Sequence, residues 1–312
     1  MGYYGMSWSN CGYKLLVSLS SGNRPTDVWM LDLDKDEVKR ITKRDMAGID
    51  EESLIEPSLH HYSSFDGLRV PFWYYKSNKT DEIGPVVIEV HGGPEGQERP
   101  IFTPLTQYLL SQGFSIVGPN VRGSVGYGKE YNHLDDIEKR LDSVKDIDKL
   151  VEYLIENGLA KKGAIAVMGT SYGGYMTLAS LTEYPELWAA GIDTVGMSNL
   201  ETFLENTAEY RRVHRESEYG SLKEHREILR AVSPIHKVDK IVAPLMVIHG
   251  ANDPRVPVGE AEQIVASLRS RNVPVEYLRY EDEGHGLAKR VNQLDCYPQV
   301  AEFLKKHLVT QK

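Results

Sequence analysis

The chain is predicted to be an α/β protein, a mostly parallel, doubly wound sheet with helices on both faces, behind a short β-rich extension. Three observations point there. Short apolar runs of the kind buried in parallel sheets recur from residue 85 onward. Stretches that read as helices alternate with them, at 104–112, 143–157, 172–182, 258–270 and 290–308. At 312 residues the chain is long enough for one large core and a small appendage.

The first 58 residues read as strands alone: Tyr13-Lys14-Leu15-Leu16-Val17-Ser18-Leu19, Asp27-Val28-Trp29-Met30-Leu31-Asp32 and Glu37-Val38-Lys39-Arg40-Ile41. Gly22-Asn23 and Asp34-Lys35-Asp36 supply the turns between them. From residue 59 to 312 the α/β pattern takes over. Asp142 is placed to cap the helix that follows it, and Gly158 to stop it. Residues 199–232 interrupt the alternation and are expected to form a small helical cap. Its Tyr210-Arg211-Arg212 and Glu216-Ser217-Glu218-Tyr219-Gly220 could select substrates or serve structure alone.

The chemistry is concentrated in loops that follow apolar strands. Ala164-Ile165-Ala166-Val167-Met168 runs into Gly169-Thr170-Ser171-Tyr172-Gly173-Gly174, a Gly-x-Ser-x-Gly sequence in the strand–turn–helix setting of a nucleophile elbow. A reactive serine needs a base, and the base needs an orienting acid. On an α/β-hydrolase scaffold these follow in the order Ser, Asp or Glu, His. Pro244-Leu245-Met246-Val247-Ile248-His249-Gly250 leads to Asp253, and Val275-Glu276-Tyr277-Leu278-Arg279-Tyr280 leads to His285, between two glycines. Ser171, Asp253 and His285 are therefore the expected triad. His249 is the nearest rival base and is expected to shape the Asp253 loop, while Asp282 and Glu283 read as solvated charges.

An oxyanion hole needs two donors. The backbone N–H of Tyr172 is one candidate. Gly93, in the His91-Gly92-Gly93-Pro94 loop behind the strand Pro85-Val86-Val87-Ile88-Glu89-Val90, is the other. Arg122 heads a glycine-rich loop after Phe114-Ser115-Ile116-Val117-Gly118. It could bind a substrate carboxylate or carbonyl, or tie the loop to an acid.

Taken in order, His91-Gly92-Gly93-Pro94, Asn120-Val121-Arg122-Gly123-Ser124-Val125-Gly126-Tyr127-Gly128, Gly169-Thr170-Ser171-Tyr172-Gly173-Gly174-Tyr175-Met176, Glu218-Tyr219-Gly220, Asn252-Asp253-Pro254-Arg255-Val256-Pro257 and Glu283-Gly284-His285-Gly286 resemble the catalytic domain of the prolyl oligopeptidase family of serine peptidases. The acylaminoacyl-peptidase branch is the nearest match. The resemblance covers roughly residue 60 to the end. It implies Ser171, Asp253 and His285 as the triad, with the N–H groups of Gly93 and Tyr172 as the oxyanion hole. Some relatives place a tyrosine hydroxyl as second donor; here His91 stands instead, which favours the Gly93 backbone. Members usually carry a whole β-propeller, whereas the first 58 residues resemble one blade and cannot close one. They are expected to pack on the hydrolase body, to pair with another copy in a homo-oligomer, or to belong to a truncated product.

Composition narrows the partners. A formal charge of −9 with dispersed acids opposes binding to nucleic acid or an anionic membrane. No run approaches a membrane span, Met1-Gly2-Tyr3-Tyr4-Gly5 lacks the regions of a signal peptide, and Met6 stands where myristoylation needs Ser or Thr. Cys11 and Cys296 are expected as free thiols in a reducing cytoplasm. No residue spacing implies a metal or cofactor; His60-His61 read as surface residues. The expectation is a cytoplasmic serine hydrolase acting on short peptides, acylaminoacyl substrates and small esters. A stand-alone carboxylesterase is the alternative, and a catalytically idle assembly module the remote one.

Overall fold

In a computed structural model, which describes residues 2–79 and 82–309, the first four strands make a sheet of their own. β1 (Gly2–Trp8), β2 (Lys14–Ser21), β3 (Arg24–Asp32) and β4 (Glu37–Arg40) pair antiparallel in chain order. The turns fall where glycine, asparagine and aspartate predicted them. β1 is an addition to the sequence reading. Its glycines and scattered aromatics give no clean alternation, yet it pairs with β2 from Gly2↔Ser20 to Trp8↔Leu15.

This small sheet is joined to the larger body by specific hydrogen bonds. Gln107 Nε2 donates to the carbonyls of Gly22 and Ile55, both at 2.9 Å, and its Oε1 accepts from Ile55 N–H at 3.0 Å. Ser20 Oγ accepts from Phe102 N–H at 3.2 Å. The segment thus packs on the larger body. Arg40 ties it to the connecting stretch by pairing with both Asp27 and Glu51.

The second sheet contains β5 (Ser58–Ser63), β6 (Arg69–Tyr75), β7 (Val86–Val90), β8 (Ser115–Pro119), β9 (Ile165–Thr170), β10 (Ala190–Thr194), β11 (Leu245–Gly250) and β12 (Val275–Tyr280). Their order is β12-β11-β10-β9-β7-β8-β6-β5. The six strands from β12 to β8 run parallel, and β6 and β5 close one end antiparallel. β5, β6 and β10 are further additions to the sequence reading. β10 is only Ala190-Gly191-Ile192-Asp193-Thr194, too short and too mixed to read as an apolar run.

Helices α1 (Pro104–Ser111), α2 (Lys129–Asn132), α3 (Asp142–Glu156), α4 (Tyr172–Glu183), α5 (Leu200–Asn206), α6 (Glu209–Tyr219), α7 (Arg226–Val232), α8 (Gly259–Ser270) and α9 (Arg290–Leu308) complete the chain. The two-residue period of a strand divides the core between the faces. Val86, Ile88, Ile165, Val167, Leu245 and Val247 pack with α3, α4 and α8. Val87, Ala166, Met168, Met246 and Ile248 pack with α1 and α9. Each such buried aliphatic side chain contributes about 1.5–3 kcal/mol.

One local expectation is revised. Leu141, not Asp142, is the N-cap of α3; Asp142 begins the helix and its carboxylate accepts from Lys145 Nζ at 2.7 Å. Residues 199–232 hold three helices, α5, α6 and α7. Among the described residues no helix is long and apolar enough to cross a membrane. Cys11 is exposed, Cys296 is buried, and neither is in a disulfide.

Candidate active site

β9 ends at Thr170, and α4 begins at Tyr172. Ser171 alone makes the turn, with φ +63° and ψ −114°. A side-chain-bearing residue held there costs on the order of 1–3 kcal/mol, so the surroundings must enforce it. They do. Ser171 N–H donates to Thr194 O at 2.8 Å, and the flanking glycines allow backbone to touch backbone. A Cβ on Gly169 would stand 2.3 Å from Gly173 O; one on Gly173 would stand 2.0 Å from Val90 O. The serine is left half-exposed above the carboxyl edge of the sheet.

Asp253 and His285 leave the same edge, behind β11 and β12, which pair in parallel. They meet directly, His285 Nδ1–H donating to Asp253 Oδ2 at 2.7 Å. Asp253 Oδ1 accepts from Arg255 N–H at 2.8 Å and Val256 N–H at 3.0 Å. Burial opposes ionisation of Asp253, but the His285 hydrogen bond and these two N–H groups outweigh it and hold its pKa below the usual range. With Nδ1 committed to Asp253, Nε2 is the His285 nitrogen left for proton transfer.

His249 lies inside this loop. It is fully buried, donates from Nε2 to Val256 O at 3.0 Å, and is kept neutral by burial, which lowers its pKa. It braces the Asp253 turn. Asp282 is exposed and pairs with Lys289 at 2.6 Å. Glu283 is not the solvated charge expected from sequence: it is buried and accepts from Ala288 N–H, Lys289 N–H and Asn292 Nδ2 at 3.1, 2.8 and 2.8 Å. Those donors overcome the cost of burial and lower its pKa, so a carboxylate anchors the stretch behind His285.

The loop after β7 lies against the elbow. A Cβ on Gly92 would fall 3.0 Å from Thr170 O and 3.6 Å from the Ser171 Cβ. Gly93 adopts φ +148°. His91 is occupied at both ring nitrogens, with Nδ1–H donating to Gly92 O and Nε2 meeting Ser124 Oγ, each at 2.8 Å. Tyr172, as first residue of α4, has no carbonyl one turn back for its N–H.

The Tyr172 side chain turns inward and meets a polar network that sequence reasoning missed. Its hydroxyl donates to Asp135 Oδ2 at 3.0 Å and contacts Ser143 Oγ, also at 3.0 Å. Arg140, fully buried, pairs with Asp135 and with Glu218 and lies between the rings of Tyr172 and Tyr219, 5.4 and 4.8 Å from their centres. Asp135, Asp136 and Glu218 are close enough to one another to ligate an ion, but the Arg140 guanidinium already neutralises two of them.

Arg122 is not placed to meet a substrate. It is 3 % exposed, and its guanidinium is divided between Asp146 at 2.9 Å and Asp66 at 2.9 Å. Its position is that of the loop tie, the other of the two readings the sequence left open.

The fold and the loop cluster define an α/β-hydrolase. A family model described as "Prolyl oligopeptidase family" matches residues 100–311. Dipeptidyl peptidase family member 6 of Caenorhabditis elegans is 37% identical over 229 residues, 72% of this chain and 31% of that protein. Dipeptidyl aminopeptidase BIII of Pseudoxanthomonas mexicana is 36% identical over 219 residues, 69% of this chain and 32% of its own. Among solved structures, the acylaminoacyl peptidase of Pyrococcus horikoshii superimposes with a TM-score of 0.89 at 26% identity, covering 99% of this chain and 50% of that one. The chain belongs to the prolyl oligopeptidase family, and spans about a third of the length of the curated relatives it matches.

Proposed function

We propose that the chain is a serine peptidase of the prolyl oligopeptidase type that cleaves short peptides through an acyl-enzyme on Ser171. The observation that carries this is the hydrogen bond between His285 and an ionised, buried Asp253, on the same sheet edge as a serine held in a strained elbow.

In this scheme Ser171 Oγ attacks the scissile carbonyl carbon while His285 Nε2 accepts the hydroxyl proton. The N–H groups of Tyr172 and Gly93 receive the oxyanion. His285 then passes its proton to the departing amine, and a water, deprotonated in turn by His285, hydrolyses the ester. Asp253 fixes the tautomer and balances the imidazolium charge. Arg122 serves the loop. Small esters enter by the same route and need less help at the leaving group, which keeps the carboxylesterase reading alive. The two free thiols support a reducing, cytoplasmic setting. The exposed β1–β2 turn is open to pairing with another copy.

The test compares wild type with Ser171→Ala. A fluorophosphonate probe should label only the wild type, and N-acetyl-aminoacyl and dipeptidyl p-nitroanilides should be hydrolysed only by it. Serine-dependent turnover of p-nitrophenyl esters with no amide cleavage would replace the peptidase by an esterase. Labelling that survives Ser171→Ala would remove Ser171 from the nucleophile's role.

A further inference from the structure

Helix α6 is fixed at both ends across the site. At its C-terminal end Glu218 and Tyr219 are buried against Arg140. Just before its N-terminal end Thr207 Oγ1 donates to Arg255 O at 3.3 Å, two residues beyond Asp253. Between these anchors Arg215 Nη1 donates to Gly93 O at 3.1 Å. One face of α6 therefore lies against the loop that carries the oxyanion donor.

That face is basic. Arg211 and Arg215 are four residues apart, one turn of helix, where like charges repel. Arg255 joins them from the acid loop: burial, and then the charges of Arg211 and Arg215, lower its pKa. Elsewhere the chain pairs its guanidiniums generously. Arg40, Arg122 and Arg140 each hold two carboxylates. Among the described residues Arg211, Arg215 and Arg255 have no carboxylate within 4.0 Å, and the buried Nε of Arg211 meets no hydrogen-bonding group of the chain. A chain of net charge −9 has acids to spare, yet gives none of these three guanidiniums a carboxylate partner, although one of them reaches the Gly93 loop. Their planar forks suit a carboxylate better than any other group a peptide offers.

We propose that Arg211, Arg215 and Arg255 form a subsite for a carboxylate of the peptide substrate, next to Ser171 and the Gly93 loop. The inference builds on the serine-peptidase reading and gives it a substrate class: peptides with a negative charge close to the scissile bond. The carboxylate comes from a free C-terminus or from an acidic side chain; both carry the same charge and geometry.

The test separates this subsite from the serine chemistry by measuring binding in Ser171→Ala, where nothing turns over. Calorimetry compares N-acetyl-trialanine as the free acid, the same peptide as its C-terminal amide, and amides with glutamate at each position in turn. At least one carboxylate peptide should bind about tenfold tighter than the neutral amide, the scale of one charge-assisted hydrogen bond. A free-acid preference identifies the C-terminus, and a glutamate preference identifies the side chain. Adding Arg211→Gln should bring the ratio near one, while Arg211→Lys should retain part of it. Should Arg211→Gln not fold, Arg255→Gln at the exposed rim is expected to reduce the ratio instead. Equal binding of all carboxylate and neutral peptides would overturn the subsite. A wild type that fluorophosphonate does not label would instead overturn the serine reading and leave this binding ratio untouched.

Discussion

At the scale of single residues, the candidate site depends on side chains whose roles follow from what they touch. Glu283 accepts three hydrogen bonds from the segment behind His285. Glu283→Ala removes the acceptor and leaves buried N–H groups unpaired, at a cost of about 1–3 kcal/mol. Denaturant unfolding should show that loss, and fluorophosphonate labelling of Ser171 should slow as the base loop loosens. Sequence and structure part at such residues. Ser171, Asp253 and His285 stand out in sequence because each follows an apolar strand and is set among glycines. Glu283 does not, because a carboxylate flanked by Asp282 and Gly284 looks solvated until its donors, up to nine residues on, fold back to it. Arg122 misleads for a similar reason: Asp66 and Asp146 lie 56 and 24 residues away and leave no local trace. The arginines at 211 and 215 did carry a signal, an i, i+4 basic pair, whose meaning appears only once Gly93 and Arg255 are seen beside it.

At the scale of elements, α6 is attached through Arg140. Replacing one partner of a buried ion pair leaves the other charge stranded, so Arg140→Met should destabilise the protein by about 3–5 kcal/mol. Because Arg140 holds Glu218 and lies against Tyr219, limited proteolysis should then cut first within residues 209–219. Uniform loss of protection over the whole chain would show that Arg140 supports the core rather than the cap. Helices α1, α3, α4, α8 and α9 fall on the stretches that read as helical between apolar runs, while the four-residue α2 left no such mark. The strands that escaped were the mixed ones, β1, β5, β6 and β10, whose place comes from the strands they pair with rather than from their own pattern.

For the whole molecule, buried carboxyl groups set how stability responds to pH. Burial pushes Asp193 up to about 7, and burial with the nearby Glu89 pushes Glu98 up to about 8. The unfolded chain releases these protons near pH ~4, so between there and about pH 8 the folded state binds more protons and stability falls as pH rises. His91 and His249, kept neutral by burial, act in the opposite sense and limit stability on the acid side below about pH 6.5. The thermal midpoint should therefore be lower at about pH 9 than at about pH 6.5, with each kcal/mol worth about 2–4 °C in a chain of this size. A flat profile across that window would mean that these carboxyls reach water.

The two thiols give the molecule a built-in place for a reporter. Cys11 stands in the exposed turn between β1 and β2, while Cys296 is sealed between α9 and the large sheet, its thiol pushed up to about 11 by burial. Thiolate is the reactive form, so a thiol-directed dye chooses the first position over the second without any engineering. A fluorophosphonate dye would give the second fixed point at Ser171. The chain as it stands thus offers a two-colour ruler between its small sheet and the edge that carries Ser171, and with it a direct view of any rocking of one against the other.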